Sequence, residues 1–303
     1  IAEMVPCEFW GWVIPQIKQK HAKLTFIAEV YNPNEYRNYI HNGHFDYLYD
    51  KVGLYDTLRA LTCGYASATA IIGCWQSVND IQSHMLNFLE NHDEQRIASE
   101  FFAGDARKAL PALIVSACMN TNPMMIYFGQ ELGEPGMDSE GFSGRDGRTT
   151  IFDYWSVDSI RRWSNHGRYN LHLLNDQEKE LRHFYQTVLT LCNKEKAISK
   201  GEFFDLMYVN SDGWMMNPHR QYVFMRKCDD ELLLIITNFD SIPVNVSVNI
   251  PQHAFDFWGM RQYHETKSRD LLTGKSEKIA FCADKPVVTD VPAYGGKILK
   301  IKL

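Results

Sequence analysis

Apolar runs alternate with helix-like segments through the first part of the chain. The runs that predict buried strands lie at 24–30, 44–49, 85–89 and 124–128. Helical spacing of apolar residues predicts helices at 11–22, 34–40, most of 54–80 and 105–120. We expect Pro15 in the first turn of its helix, interruptions near Gly64 and Gly73, and a kink at Pro111. Strands and helices that alternate in this way indicate βα units and a parallel sheet.

The pattern changes after Gly201. A helix is predicted at 176–194, with Asp176 as its N-cap. Beyond it, β-branched runs separated by turn residues predict an antiparallel β-sandwich with strands at 222–226, 232–237, 244–250, 287–291 and 297–301. The chain is therefore expected to contain two domains, 1–200 and 201–303.

Composition narrows the possible partners. The chain has 303 residues, of which 45% are hydrophobic, and a formal net charge of −6, which disfavours nucleic acid and anionic membranes as partners. It lacks an apolar run long enough to span a bilayer. The seven cysteines are odd in number and have no paired short spacing, which disfavours a disulfide framework or a zinc site. They favour a reducing compartment such as the cytoplasm.

Two predicted strands carry carboxylates at or near their ends. The run at 85–89 is followed by Asn91, His92 and Asp93, and the run at 24–30 contains Glu29. Parallel α/β sheets place their chemistry at the carboxyl ends of strands. The alternative for Asp93 is that it caps a following helix, with Glu94 in the first turn. Two carboxylates facing one pocket are the arrangement that glycoside cleavage requires.

Segments 26–31 (FIAEVY) and 88–93 (FLENHD) resemble the third and fourth conserved regions of the α-amylase superfamily, glycoside hydrolase family 13. Segment 123–131 is similar to its strand-eight region. The resemblance implies retaining cleavage of α-glucosidic bonds in starch-like glucans or maltooligosaccharides. It implies Glu29 as general acid/base and Asp93 as the transition-state stabiliser. The substrate-binding residues that it implies are His92, Tyr31, Asn91 and Arg96.

The same resemblance predicts a partial (β/α)8 TIM barrel. Residues 1–10 are similar to the segment that follows the strand-four nucleophile, which places the nucleophilic aspartate just before Ile1. The chain would then comprise strands five to eight and the C-terminal β domain. We expect it to be catalytically incomplete alone, with the missing barrel half supplied by an upstream segment or by self-association.

Several alternatives remain open. The same motifs occur in α-glucan transferases and isomerases of the superfamily, and a non-catalytic glycan-binding fragment is a further possibility. No organic cofactor is implied. Calcium occurs in the family, but its ligands are not readable in this chain, and we predict no metal ligand. Trp155 and Trp163, in the irregular stretch 132–175, either stack on sugar rings or anchor that stretch.

Overall fold

The computed structural model describes residues 1–138, 144–149 and 157–303, so Trp155 lies outside the described residues. Four short strands form one parallel sheet in the order β1-β2-β3-β4. They are β1 (Ile27–Ala28), β2 (Tyr47–Tyr49), β3 (Met85–Phe88) and β4 (Met124–Met125). Each lies within one of the four predicted runs, and the prediction of a parallel sheet is confirmed.

One helix precedes β1, and four helices connect the strands. They are α1 (Cys7–Lys20), α2 (Tyr36–His41), α3 (Asp56–Thr62), α4 (Ala70–Ser77) and α5 (Leu110–Cys118). Pro15 lies in the interior of α1, and Gly73 lies within α4 without breaking it, so those two expectations were wrong. Pro111 occupies the first turn of α5, directly after a 3-10 turn at Ala106–Ala109, and its predicted kink stays a prediction. The break near Gly64 is confirmed, because this residue follows α3 with a φ of +83°.

Three more helices lead to the second half: α6 (Asp158–Ser164), α7 (Asp176–Lys194) and α8 (Lys196–Ser199). The cap of α7 is Asn175 rather than Asp176. The Asn175 side chain accepts from the Glu178 backbone N–H, and the Glu178 carboxylate accepts from the Asn175 N–H, both at 2.9 Å. This reciprocal capping box satisfies two backbone donors, and it moves the predicted cap by one residue.

The second half is an antiparallel β region. Its strands are β5 (Glu202–Asp205), β6 (Gln221–Cys228), β7 (Glu231–Asn238), β8 (Val244–Val248), β9 (Tyr263–Asp270), β10 (Ser276–Phe281), β11 (Val287–Val291) and β12 (Gly295–Lys302). Six of them form a sheet in the order β10-β9-β12-β7-β6-β5, and β11 pairs with β8. The five predicted strands are present. The sequence missed β5, β9 and β10, and also helix α9 (Gln252–Trp258).

One apolar core joins the parallel sheet region to the β region. It runs from α3, α4 and α5 into the buried faces of β6, β7 and β12. A second, smaller cluster gathers around α1 and α2. No helix in the described parts of the chain is long and apolar enough to cross a bilayer. All seven cysteines are free.

Arg226 of β6 forms hydrogen bonds that link the β region to the helices packed beside the parallel sheet. Its guanidinium is buried and donates to the carbonyl oxygens of Ala197 at 3.0 Å and Ile198 at 2.9 Å. It also donates to Gly201 at 2.8 Å and to Met119, just beyond α5. Burial lowers the pKa of Arg226 to about 10. The carbonyl oxygens therefore provide the solvation that the guanidinium loses by leaving water.

Asp50, directly after β2, is a buried carboxyl group that makes the stability of the fold depend on pH. It is 3% exposed, and its Oδ1 accepts from the Leu54 backbone N–H at 2.9 Å. Burial raises its pKa from 3.8 to about 6. The folded state therefore binds this proton more tightly than the unfolded state. Its contribution to stability is complete below about pH 4 and is lost as the pH rises through 6, a change of about 3 kcal/mol.

We expect Asp50→Asn to gain stability relative to the wild type as the pH rises from 4 to 7, because asparagine still accepts from Leu54 without a charge. Denaturant unfolding of both proteins across this range measures the difference. Asp80→Asn is the control, because Arg37 lowers the pKa of the exposed Asp80 and the effect of its charge on stability therefore changes mainly below about pH 4, outside this range. A pH-independent difference between Asp50→Asn and wild type would contradict the assignment.

Candidate functional site

Glu29 stands at the carboxyl end of β1. Its side chain is 13% exposed, and its Oε1 accepts a hydrogen bond from the Tyr31 hydroxyl at 2.7 Å. Its backbone carbonyl accepts from the Ala2 N–H at 3.0 Å. The nitrogen of Ile1 lies 3.6 Å from Glu29 Oε2. The first residues of the chain thus lie alongside the end of β1, with Ile1 next to the carboxylate.

The segment after β3 forms a tight turn. The Asn91 side-chain oxygen accepts from the backbone N–H groups of Asp93 at 2.9 Å and Glu94 at 2.8 Å. No helix begins at Asp93, so the alternative of a helix cap is wrong. The turn leaves the side chains of His92 and Asp93 38% and 40% exposed, with His92 Nε2 and Asp93 Oδ2 3.5 Å apart. Both side chains remain available to a ligand.

The two strand ends meet. Ligating atoms of Glu29, His92 and Asp93 all lie within 4.8 Å of one another. The two carboxylates therefore face one site, although β2 lies between β1 and β3 in the sheet. This cluster offers two carboxylate groups and one imidazole nitrogen, whereas calcium prefers six to eight oxygen ligands. The cluster is a candidate site for acid–base chemistry on a bound molecule.

Asn91 and Arg96 do not belong to the exposed part of this site. Asn91 is 2% exposed, and its oxygen is occupied by the turn. Arg96 is fully buried, with its Nη1 2.7 Å from Glu90 Oε2 and its Nε 2.7 Å from the Thr149 hydroxyl. Its guanidinium also lies 4.3 Å from the ring centroid of Tyr127. The expectation that these two residues bind substrate stays a prediction, and in this structure neither residue is more than 2% exposed.

A charged network beside the cluster was missed by the sequence analysis. Lys51, directly after Asp50, lies 3.3 Å from Glu94 Oε1, and Arg59 lies 3.2 Å from Glu94 Oε2. The Tyr55 hydroxyl donates to the same carboxylate at 3.0 Å. The ammonium of Lys51 also stands 5.9 Å from the ring centroid of Tyr31. The signal was present, since Asp50 and Lys51 directly follow the predicted strand at 44–49.

Tyrosine rings line the rim between the strand ends. Burial raises the pKa of Tyr31, and its hydrogen bond to Glu29 adds to the effect. Burial likewise raises the pKa of Tyr49, with further contributions from Glu29 and Asp93. These phenols therefore stay protonated and act as hydrogen-bond donors next to the carboxylates. The stacking of Tyr31 on a sugar remains a prediction.

A family model described as the alpha amylase catalytic domain matches residues 8–201. No curated protein matches the chain significantly. Among solved structures, the noncanonic maltogenic alpha-amylase AmyB from Thermotoga neapolitana aligns with a TM-score of 0.65 and 17% identity, over 100% of this chain and 60% of that one.

AmyP in complex with maltose aligns with a TM-score of 0.68 and 17% identity, over 99% of this chain and 62% of that chain. A cyclomaltodextrinase aligns with a TM-score of 0.67 and 19% identity, over 100% of this chain and 44% of the other. At sequence identities of 17% to 19%, the similarity to these structures shows a shared fold only. The chain spans about 60% of the length of AmyB and AmyP.

Proposed function

Because the chain belongs to the α-amylase catalytic-domain family, we propose that it is part of an enzyme that cleaves α-glucosidic bonds in starch-like glucans or maltooligosaccharides with retention of configuration. The observation that carries this proposal is the convergence of Glu29, His92 and Asp93 within 4.8 Å. Retaining cleavage uses an acid/base and a nucleophile roughly 5 Å apart. The two carboxylates at the strand ends supply the acid/base and a second negative charge.

The parallel sheet is proposed to be the second half of a (β/α)8 barrel, with β1 to β4 as strands five to eight. Its strand order follows the chain order, as successive barrel strands do. The outer edges of β1 and β4 would then pair with the first half of the barrel, supplied by a preceding segment or by a second copy.

In this proposal Glu29 is the general acid/base. Protonated Glu29 would give its proton to the departing glycosidic oxygen, and its carboxylate would then take a proton from the incoming water. The Tyr31 hydroxyl, 2.7 Å from Oε1, orients the carboxyl group. Gln would keep this hydrogen bond but could not exchange a proton, which makes Glu29 open to a direct test.

Asp93 would stabilise the positive charge that develops on the sugar ring, and His92 would hydrogen-bond hydroxyls beside the cleaved bond. A carboxylate close to a developing oxocarbenium ion lowers the barrier, because their attraction is greatest in the transition state. The nearby Lys51 and Arg59 form ion pairs with Glu94, whereas Asp93 lies next to His92.

The nucleophile is proposed to lie outside residues 1–303. A residue that preceded Ile1 in a longer protein would be bonded to the nitrogen that lies 3.6 Å from Glu29 Oε2. An aspartate there would lie close to Glu29, and retaining enzymes hold their nucleophile and acid/base about 5 Å apart. The sugar would become covalently attached to this aspartate. Water or another sugar would then attack the sugar and release the aspartate. The first acceptor gives hydrolysis, and the second gives glucanotransfer.

The complete enzyme on maltooligosaccharides tests this proposal. We expect Asp93→Asn to lower kcat by about 10³-fold with a smaller change in KM, because the lost interaction is made mainly in the transition state. Chromatography of the products, with NMR of the first-formed anomer, distinguishes hydrolysis from transfer and retention from inversion. Asp176→Asn, on the exposed start of α7, is the matched control. Full activity of Asp93→Asn, or an inverted first product, would refute the mechanism.

A further inference from the structure

Three donor side chains of different chemistry converge at one end of the six-stranded sheet, far along the chain from Glu29. His264 is the second residue of β9, and Cys282 and Asp284 follow the end of β10. Their ligating atoms lie within 4.8 Å of one another. His264 Nδ1 is 3.7 Å from Cys282 Sγ and 3.8 Å from Asp284 Oδ1. One imidazole nitrogen thus faces both the thiol and the carboxylate.

The local backbone holds this arrangement in place. β10 pairs with β9 through Tyr263 and Phe281, with a bulge between Ile279 and Phe281 that turns the end of the strand. The Gln262 side chain accepts from the Ala283 N–H at 2.7 Å and closes the following turn onto β9. Cys282 is 3% exposed, so its thiol is held in the protein interior. One donor comes from β9 and the other two from the turn after β10, which the Gln262 hydrogen bond holds against β9.

The distances match a tetrahedral metal centre. Zn²⁺ bound to a nitrogen at about 2.0 Å and a thiolate at about 2.3 Å places these two atoms roughly 3.5 Å apart. Two nitrogen or oxygen ligands stand roughly 3.4 Å apart in the same geometry. The observed separations of 3.7 and 3.8 Å differ from these by only a few tenths of an ångström. The three ligating atoms can therefore reach one ion without movement of the strands.

We propose that His264, Cys282 and Asp284 bind a Zn²⁺ ion, which completes its coordination with water. Thiolate, imidazole and carboxylate together suit a borderline-soft divalent ion, whereas calcium and magnesium prefer oxygen ligands alone. The side chains of His264 and Asp284 are 78% and 69% exposed, so the ion enters directly from solvent. No sequence motif marks this site, because its ligands include a single cysteine and the histidine lies 18 residues away from that cysteine.

The ion would fasten the turn after β10 to β9. β10 is the outermost strand of its sheet, and edge strands are the parts of a sheet most exposed to fraying and to pairing with other chains. Lys285, next to Asp284, is the positive charge that opposes metal binding. Its flexible side chain can turn to solvent when the ion binds. The proposed centre does not depend on the glycosidase chemistry at Glu29.

Cobalt(II) added to the metal-free chain tests the proposal. We expect one equivalent of Co²⁺ to give a sulfur-to-metal charge-transfer absorption in the near ultraviolet, which an equivalent of Zn²⁺ abolishes by displacement. Cys282→Ser should remove this band. His264→Ala and Asp284→Asn, which alter exposed side chains, should weaken Co²⁺ binding by at least about 100-fold, since loss of merely supporting groups costs 10- to 100-fold.

Two controls separate this site from others. Cys228→Ser should leave the band intact, as should His92→Ala, because the cluster at Glu29 contains no thiolate. Circular dichroism of the metal-free variants verifies that they are folded. The proposal is overturned if no charge-transfer band forms, if the band persists in Cys282→Ser, or if His264→Ala and Asp284→Asn bind Co²⁺ as the wild type does.

Discussion

Replacing Glu29 by glutamine in the complete enzyme should lower kcat on maltooligosaccharides by about 10³-fold or more. General acid catalysis contributes roughly 10²- to 10⁴-fold, and glutamine cannot donate the proton that the leaving oxygen requires. Glutamine retains an oxygen that accepts from the Tyr31 hydroxyl, so the local geometry should be preserved. Initial rates over a range of substrate concentrations give kcat and KM separately.

A second substrate distinguishes acid catalysis from a structural role. An aryl α-glucoside with a strongly activated leaving group needs no proton, so glycosylation of the enzyme by this substrate should lose less than about tenfold. Pre-steady-state measurement of aryl release isolates this step. Glu8→Gln, an exposed carboxylate on α1, serves as the matched control and should behave as wild type. Equal losses of Glu29→Gln on both substrates would show that Glu29 is not the acid.

Replacing Arg96 by methionine should lower the free energy of unfolding by about 3–5 kcal/mol, because Glu90 is left buried without its cation. The two side chains are 0% and 2% exposed, with 2.7 Å between Arg96 Nη1 and Glu90 Oε2. Burial already raises the pKa of Glu90, and Arg96 opposes that rise. The destabilisation should therefore shrink as the pH falls and Glu90 becomes neutral. Urea unfolding at neutral and acidic pH measures both effects.

The double variant Glu90→Gln with Arg96→Met tests the cause. It removes both charges, while the glutamine oxygen can still accept from the Ile97 N–H as Glu90 does at 2.7 Å. We expect it to be more stable than Arg96→Met alone. Arg161→Met removes an exposed arginine paired with Asp158 and should change stability by less than about 0.5 kcal/mol. If the double variant is no more stable than Arg96→Met, the loss of stability comes from altered packing rather than from the unpaired charge of Glu90.

The strand ends could be predicted because the polar residues follow apolar runs directly. Glu29, His92 and Asp93 were identified from short motifs, and the parallel sheet brings their side chains together. Arg96 lies only three residues beyond Asp93 and has the residue type of a sugar ligand. Its burial against Glu90 and Tyr127 depends on where the chain folds back, which local sequence does not encode.

The missed strands have a similar explanation. β9 reads YHETKSRD and exposes alternate polar residues, so it lacks the apolar run that predicted β6 and β7. Its pairing with β10 and β12 comes from the sheet as a whole. The cap of α7 was displaced by one residue because Asn175 and Asp176 are both good caps. Only the reciprocal bond with Glu178 distinguishes them.

The sequence by itself determined the alternation of strands and helices around the parallel sheet, the two carboxylates beyond β1 and β3, and the family to which the chain belongs. These properties depend on residue types at short spacing, which act through local burial and backbone preference. The tertiary structure alone decided that Asn91 and Arg96 are buried, that Lys51 and Glu94 form a charged network beside the cluster, and that His264 meets Cys282 and Asp284. Each of those outcomes depends on contacts between distant segments, because burial and charge pairing are set by the packed chain rather than by neighbours in sequence.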